Sequence, residues 1–488
     1  MNFVMRGWNW KTLILTIPFF LGLLFFIIFS QYCSDQLKVI FLFLWMLSWW
    51  IFEFIPMGIV ALLPLIILPM LEVMTFKEVT ISYADPILFM FLGGFMLARA
   101  LEKTNISKVF AQFILRKFGS SPSGVQFSFL FSTAFLSMWI SNTATTMMMI
   151  PIALSVLKSI EEFENPSELS MKKYQTSLLL IISYSASIGG LMTPIGTPPN
   201  MVFMGILKEL THLEIGFFQW ILIAMPVGIF ILLALYLLLN SPQFKSKLTF
   251  SMKMKHAIED LSKQKILLNR DQKTTLAIFF MMVFGWIFRV PINIFIGKNL
   301  LDDSLIAIFG GLLFFLLPLS LLKSQSGEKS KPILNLDDVS ILPWDVFLLF
   351  GGSLALASSL EKTGIINLMS SGFSHFEQFP QVFVFLIIIA ITIILTEVMS
   401  NVALAAVAIP IVMTWAKSTQ YSELAVGMMV ALATSFGFSL PMSTPPNALV
   451  FGTGLITFKE MMKVGIILNV LSMFILLLIV LTWWKIIL

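Results

Sequence analysis

Four short runs of small polar residues interrupt otherwise apolar stretches of this sequence. They are Ser141-Asn142-Thr143, Gly196-Thr197-Pro198-Pro199-Asn200, Ser400-Asn401-Val402 and Ser443-Thr444-Pro445-Pro446-Asn447. Each reads as the start of a helix. Gly196 permits an unusual backbone angle, and Thr197 is a good N-cap. Pro198 then suits the first helical position, where a missing N–H costs nothing. Ser443-Thr444-Pro445 repeats that design, and the two Ser-Asn pairs open a helix in the same way.

Helix starts gathered in one place can hold an anion. Each offers unpaired N–H groups and roughly half a positive charge. Ser, Thr and Asn side chains can bind carboxylate oxygens directly. No Lys or Arg lies within a few residues of any of the four runs, so the charge would come from backbone. The carbonyls that end the preceding segments, with Ser137, Ser141, Asn142, Thr396 and Asn401, suit a small hard cation. Such a cation offsets the charge of a dianion. One run alone reads as a packing kink. Four, placed symmetrically, read as a binding site.

The elements that position these runs must lie in a bilayer. The chain has 488 residues, of which 58% are hydrophobic and 12% charged, and its mean hydropathy is +0.93. Soluble domains carry about 25% charged residues. Apolar runs place spans at 11–30, 38–54, 56–71, 86–101, 176–207, 217–240, 274–291, 303–322, 343–359, 424–456 and 463–486. The runs 176–207 and 424–456 exceed one straight crossing and are each cut by a Pro-Pro pair, so they read as broken helices. The stretches 110–157 and 380–416 are cut by the Ser-Asn pairs and read as re-entrant hairpins. Irregular backbone at membrane depth is tolerated only where protein or water satisfies it, so these breaks are expected to line a cavity.

The two halves of the chain resemble each other. GGFMLARALEKT at 93–104 matches GGSLALASSLEKT at 351–363, SNTATTMMMIPI at 141–152 matches SNVALAAVAIPI at 400–411, and GTPPN at 196–200 matches STPPN at 443–447. Three matching blocks in one order indicate an internal repeat. An odd number of crossings per repeat would invert the second copy, the arrangement of secondary transporters with sites at the midplane. The expected fold class is an all-α polytopic membrane protein of about 11 transmembrane helices, two re-entrant hairpins and two inverted-topology repeats. The division is a first helix at 1–37, repeat 1 at 38–241, a linker at 242–273 and repeat 2 at 274–488.

Basic residues set the orientation. The segment 242–273 carries Lys245, Lys247, Lys253, Lys255, Lys263, Lys265, Arg270 and Lys273; Lys323, Lys329 and Lys331 follow the eighth span; Lys103, Lys108, Arg116 and Lys117 follow the fourth. With a cytoplasmic amino terminus all three clusters lie inside. The loops 31–37, 72–85 and 364–379 then lie outside and hold one basic residue, Lys77. The basic front of 11–30, Arg6 and Lys11, is like that of a signal peptide, but no clean cleavage site follows, so the run reads as a spanning helix. The short loops suit a bacterial inner membrane.

Other classes are disfavoured. One cysteine, Cys33, excludes an internal disulfide and a cysteine metal site. His212, His256 and His375 lie outside the spans and have no partner at a metal-motif spacing. The net charge of +5 comes mostly from loops and needs no nucleic acid. No enzyme motif or paired catalytic carboxylate is present. An anion channel is disfavoured by the repeated hairpin tips. Proton coupling would place acids at membrane depth. Glu397 is the one acid beside a motif, and it reads as either a proton site or a residue that orients the hairpin tip.

At these residues the chain resembles the divalent anion/sodium symporter family, which includes dicarboxylate and citrate carriers. The likeness spans about 40–460. Paired Ser-Asn-Thr hairpin tips and Thr-Pro-Pro loops carry it. The second tip departs, because Val402 replaces threonine and removes a hydroxyl from the substrate shell. The choice among dicarboxylate, tricarboxylate and sulfate therefore stays open. The resemblance implies one Na⁺ site from Ser137, Ser141, Asn142 and Gly196. It implies a second from Thr396, Met399, Asn401 and Ser443, with Met399 acting through its backbone. It implies substrate contacts from Ser141, Asn142, Thr143, Asn401, Thr444 and Pro445, with Thr197 and Val402 nearby. A homodimer with elevator-type motion is also implied. The expected activity is import of a C4-dicarboxylate with Na⁺, against sodium-independent exchange or a tricarboxylate or sulfate carrier.

Overall fold

The computed structural model describes residues 10–29, 32–52, 55–252, 268–317, 332–365, 379–417, 419 and 421–487, with side chains from 17 onward. Arg6, His256, His375, the basic residues between 253 and 267, Lys323, Lys329, Lys331 and most of the 364–379 loop lie outside the described residues. All regular elements among the described residues are helical.

Apolar side chains are exposed where lipid would contact them. Ile229, Phe230, Leu233 and Leu237 form such a face on Phe217–Leu239, and Phe280 and Phe284 continue it on Arg270–Ile296. In water these faces would be strongly unfavourable at about 25 cal/mol per Å². In hydrocarbon they cost nothing. Among the described residues six helices are long and apolar enough to cross a bilayer unaided, including Asp35–Phe52, Phe217–Leu239 and Arg270–Ile296. The innermost helix is instead serine-rich. Every residue from Thr176 to Leu191 is buried, including Ser183, Ser185 and Ser187.

Several boundaries differ from the apolar runs. The span 56–71 is split into Met57–Val60 and Leu63–Met70. The first hairpin begins later than position 110. Its arms are Pro122–Ser137 and Asn142–Glu164, while Ile106–Phe118 is a separate amphipathic helix. Asn105, at φ 57°, turns the chain between that helix and Pro86–Lys103. Hydropathy does not separate the two because buried Ile106, Ala111 and Ile114 are joined by exposed Phe113 and Phe118 among Lys108 and Lys117. The second hairpin has arms Gln381–Thr396 and Asn401–Lys417.

Both long Pro-Pro spans are broken. The first is Glu168–Leu191 and then Pro198–Thr211. The second is Glu423–Ala433 and then Pro445–Phe451. In each case the helix restarts at the first proline.

The matching GG blocks do matching work. Pro86–Lys103 crosses Asp303–Leu316, and a Cβ at Gly93 would stand 2.2 Å from the Ala307 carbonyl oxygen. Trp344–Lys362 crosses Met57–Val60, and a Cβ at Gly352 would stand 2.2 Å from the Ala61 carbonyl oxygen. Only glycine permits either approach. Each half thus lends a helix to the packing of the other. Asp338 fastens this frame by accepting from Arg99 Nε at 3.0 Å and Lys103 Nζ at 2.5 Å.

Candidate functional site

The first hairpin tip is held by one hydroxyl. Ser137 ends the inbound arm, and its Oγ lies 2.6 Å from Asn142 Oδ1 and 2.7 Å from the Ala186 carbonyl oxygen. A hydroxyl has one proton. It can satisfy one of these acceptors at a time, which leaves the other oxygen open to a further positive partner. Such an arrangement favours a cation. Gly190 packs against it, because a Cβ there would stand 2.3 Å from Asn142 Oδ1. Gly196 packs in turn on Gly190, 2.4 Å from its carbonyl oxygen by the same measure. The reason for glycine at 196 is therefore close approach; its φ is not in the left-handed region. This chain of contacts joins Ser137, Asn142 and Gly196.

The second half repeats the device. Thr396 Oγ1 lies 2.7 Å from Asn401 Oδ1 and 2.5 Å from the Thr434 carbonyl oxygen. Ser443 Oγ lies 2.7 Å from the carbonyl oxygens of both Gly437 and Leu440. Gly437 packs beside Ser443 and the Thr396 carbonyl. Thr396, Asn401 and Ser443 are therefore neighbours. Met399 closes the tip through its backbone, its N–H donating to the Leu395 carbonyl at 2.9 Å.

The helices that begin at these runs pair across the two halves. Asn142–Glu164 packs on Pro445–Phe451, and Asn401–Lys417 packs on Pro198–Thr211. Asn142 and Thr143 occupy the first two helical positions, whose N–H groups have no acceptor within the helix. Ser141 caps that helix by accepting from Ala144 N at 3.3 Å. The Pro-Pro starts differ from the expectation of free N–H groups. Two successive prolines remove two donors. The third N–H, from Asn447, goes to Thr444 Oγ1 at 3.4 Å. At the equivalent break Asn200 N–H goes to the Thr197 carbonyl at 3.2 Å. These termini therefore act through hydroxyls and through the dipole, which is weak for the seven-residue Pro445–Phe451. Thr197 sits at the N-cap position but makes no side-chain cap bond, which leaves its hydroxyl for another use.

Exposure fits a binding site. Ser141 and Pro445 are exposed, while Asn142, Thr143, Asn401 and Val402 are half-buried. Thr197, Ser443 and Thr444 lie deeper, in the buried class.

The two tips are anchored differently. Trp139 of the first stacks on Phe217 at 6.1 Å and meets Phe279 edge-on at 4.8 Å. Val398, the corresponding residue of the second, is 76% exposed. Glu397 holds that tip instead. Its Oε1 accepts from Ser439 N at 2.8 Å and Asn469 Nδ2 at 2.6 Å, and its Oε2 accepts from Leu440 N at 2.9 Å. A carboxylate with three donors positions the break of the second long span against the hairpin.

The chain matches the sodium:sulfate symporter transmembrane region over residues 8–488. It belongs to that family. Among relatives, the sodium-dependent dicarboxylate transporter SdcS of Staphylococcus saprophyticus is 35% identical over 90% of this chain and 84% of its own. The protein of the same name from Staphylococcus aureus is 33% identical over the same shares. A crystal structure of the Alcanivorax borkumensis YdaH transporter superposes with a TM-score of 0.58, at 12% identity, covering 84% of this chain and 88% of that one. This last likeness concerns the fold alone. This family member is therefore a multi-pass membrane transporter with an all-helical fold.

Several residues of the symporter's site were not singled out by sequence reasoning. The Ala186 and Thr434 carbonyls complete the two oxygen clusters, and backbone acceptors leave no mark on residue type. Gly190 and Gly437 had a signal, since each lies shortly before a Thr-Pro-Pro run. Asn200 and Asn447 end those runs and brace them. Asn200 Nδ2 donates to the carbonyls of Gly190 at 3.1 Å and Thr193 at 2.8 Å. Asn447 Nδ2 donates to those of Gly437 and Leu440, both at 3.0 Å.

Proposed function

We propose that this protein couples entry of Na⁺ to import of a C4-dicarboxylate of the succinate, malate and fumarate class across the plasma membrane. The observation that carries this reading is the pair of hydroxyls, Ser137 and Thr396, each set between two acceptor oxygens with one proton to offer. A Na⁺ ion supplies the missing positive partner in both clusters. Ser141 and Gly196 complete the first site, and Met399 and Ser443 the second.

The dicarboxylate then bridges the halves. Ser141, Asn142 and Thr143 take one carboxylate. Asn401, Thr444 and Pro445 take the other, with Thr197 and Val402 beside them. Neutral donors suit a cargo that must leave again, because a buried Lys or Arg would hold a dianion too tightly. The names of the staphylococcal relatives support both the cation and the anion.

The amino terminus lies in the cytoplasm, and the division is 1–37, 38–241, 242–273 and 274–488 in this reading. The two repeats are inverted, which supports alternate opening of the same site to either side. The working form is a homodimer in which the hairpins and broken helices move against the frame formed by the crossed GG helices.

The test is uptake of labelled succinate into proteoliposomes. Accumulation with an inward Na⁺ gradient, and none with K⁺ or choline, is the expected result. Counterflow that ignores Na⁺ overturns coupling and indicates an exchanger. Sulfate or citrate uptake in place of succinate overturns the assigned substrate while leaving the cation sites standing.

A further inference from the structure

A cavity of about 170 Å³ lies far from the hairpin tips, between the first turns of Glu168–Leu191, the end of Phe217–Leu239 and the start of Phe458–Leu481. We propose that it binds the phosphate of an anionic membrane phospholipid. Lys173 and Lys463 line it, and neither makes an ion pair among the described residues. Thr176 also lines it. This residue is 8% exposed, and its hydroxyl has no hydrogen-bond partner among the described residues. Its neighbour Ser177 accepts from Gln126 Nε2 at 2.7 Å, which leaves the serine proton to donate. Two ammonium groups and two hydroxyl donors match the oxygens of a phosphate diester.

Glu460 is the one acid in the lining. Its Oε2 is engaged by Thr457, accepting from N at 2.8 Å and Oγ1 at 2.6 Å. The lysines therefore set the sign of the cavity. Lys463 is also held over the Phe244 ring at 5.3 Å. The chain after Leu239 forms one wall. It is stapled down where Ser246 Oγ donates to the Ser170 carbonyl at 2.7 Å and Ser251 N donates to Glu164 Oε1 at 2.8 Å.

A lipid fits better than a free phosphate. The floor is apolar, made by Leu239 and Val464. Within two turns of it, Leu233 and Leu237 on one helix and Ile466 and Val470 on the other expose apolar side chains to the membrane. Acyl chains would pack on these exposed faces while the headgroup sits at the helix ends. Basic pockets between membrane helices bind anionic headgroups for these reasons.

The purified full-length protein in detergent is melted with added phosphatidylglycerol, phosphatidylcholine or glycerol phosphate, following tryptophan fluorescence. Phosphatidylglycerol is expected to raise the wild-type midpoint saturably, and phosphatidylcholine to do nothing. Each lysine contributes about 1 kcal/mol, so Lys173→Gln is expected to weaken half-saturation about fivefold and the Lys173→Gln/Lys463→Gln pair about thirtyfold. Lys463→Gln also removes the Phe244 contact, so each variant's lipid-free midpoint is its own baseline and Lys173→Gln keeps the test valid if the pair fails to fold. Equal responses of wild type and Lys173→Gln overturn the proposal. So does an equal effect of phosphatidylcholine, or glycerol phosphate matching the lipid at equal concentration.

Discussion

Ser183 donates its hydroxyl to Asn447 Oδ1, joining the inner helix of one half to the Pro-Pro break of the other. The counterpart Asn200 Oδ1 is buried and has no partner among the described residues. The difference traces to one position. Ala186 and Thr434 offer equivalent carbonyls to the hairpin hydroxyls, and three residues earlier stand Ser183 and Ala431. Alanine has no hydroxyl to give. Ser183→Ala is expected to lower stability by about 1–3 kcal/mol, because it strands the Asn447 oxygen as well as deleting a bond. Ala431→Ser is expected to raise the unfolding midpoint. Thermal melts of both variants check the pair, and a melt of Ser183→Ala equal to wild type refutes the role of this contact.

Asn142 braces the first oxygen cluster with a half-buried side chain that meets the Ser137 hydroxyl and the face of Gly190. Asn142→Ala is expected to abolish uptake while membrane insertion and the melting curve persist. Ser137→Ala is milder and is expected to raise the Na⁺ concentration for half-maximal uptake. Normal uptake by Asn142→Ala sinks the assigned site.

The sequence revealed the plan of the molecule more readily than its joints. Hairpin tips at Ser141-Asn142 and Ser400-Asn401 and restarts at Pro198 and Pro445 were readable because small polar residues and prolines are rare inside apolar runs. The Ile106–Phe118 helix merged with the hairpin because exposed Phe113 and Phe118 carry the apolar signal past Lys108 and Lys117. Thr197 reads as a cap from residue type, yet whether a hydroxyl turns to its own helix depends on the cavity around it. The site's carbonyls and the Ser183 bridge depend on which helices meet, which no local pattern records.

Glu397 separates positioning from protonation. Its oxygens accept from Ser439 N, Leu440 N and Asn469 Nδ2, all donors with no basic site for a proton. Glu397→Gln turns an amide N–H toward one of these donors, at a cost of about 1.5–3 kcal/mol for a bond to a charged group. Uptake is expected to fall. The pH profile of what remains is expected to parallel wild type, as a positioning role requires. A variant whose uptake lost a wild-type pH dependence would show that Glu397 carries protons.

The Lys362–Glu78 contact, at 2.8 Å, ties the end of Trp344–Lys362 to the Phe76–Ile81 turn. The Lys362 ammonium holds the Glu78 carboxyl down at about 2, helped by the Thr75 N–H and hydroxyl. A depressed carboxylate stabilises the fold above its unfolded value of 4.5, and that contribution is lost as pH falls toward the folded value. The contact is exposed, so the effect is small. Wild type is expected to lose more of its unfolding midpoint than Glu78→Gln between about pH 5 and about pH 3. Equal losses mean that the pair does not hold in solution.

Val402 follows Asn401 in the first turn of the second returning arm, where the first arm carries Thr143. The side chain is half-buried and packs in part against the hydrophobic core. Val402→Thr keeps the shape and restores a hydroxyl. One such hydrogen bond is worth about 0.5–1.5 kcal/mol, or about two- to tenfold in affinity. The gain is expected to be unequal, because succinate, citrate and sulfate present different oxygens at that point. Competition of each unlabelled anion against labelled succinate measures the ranking. An unchanged ranking means that residue 402 does not face the substrate, and the search for the specificity determinant then moves to Thr444 and Thr197.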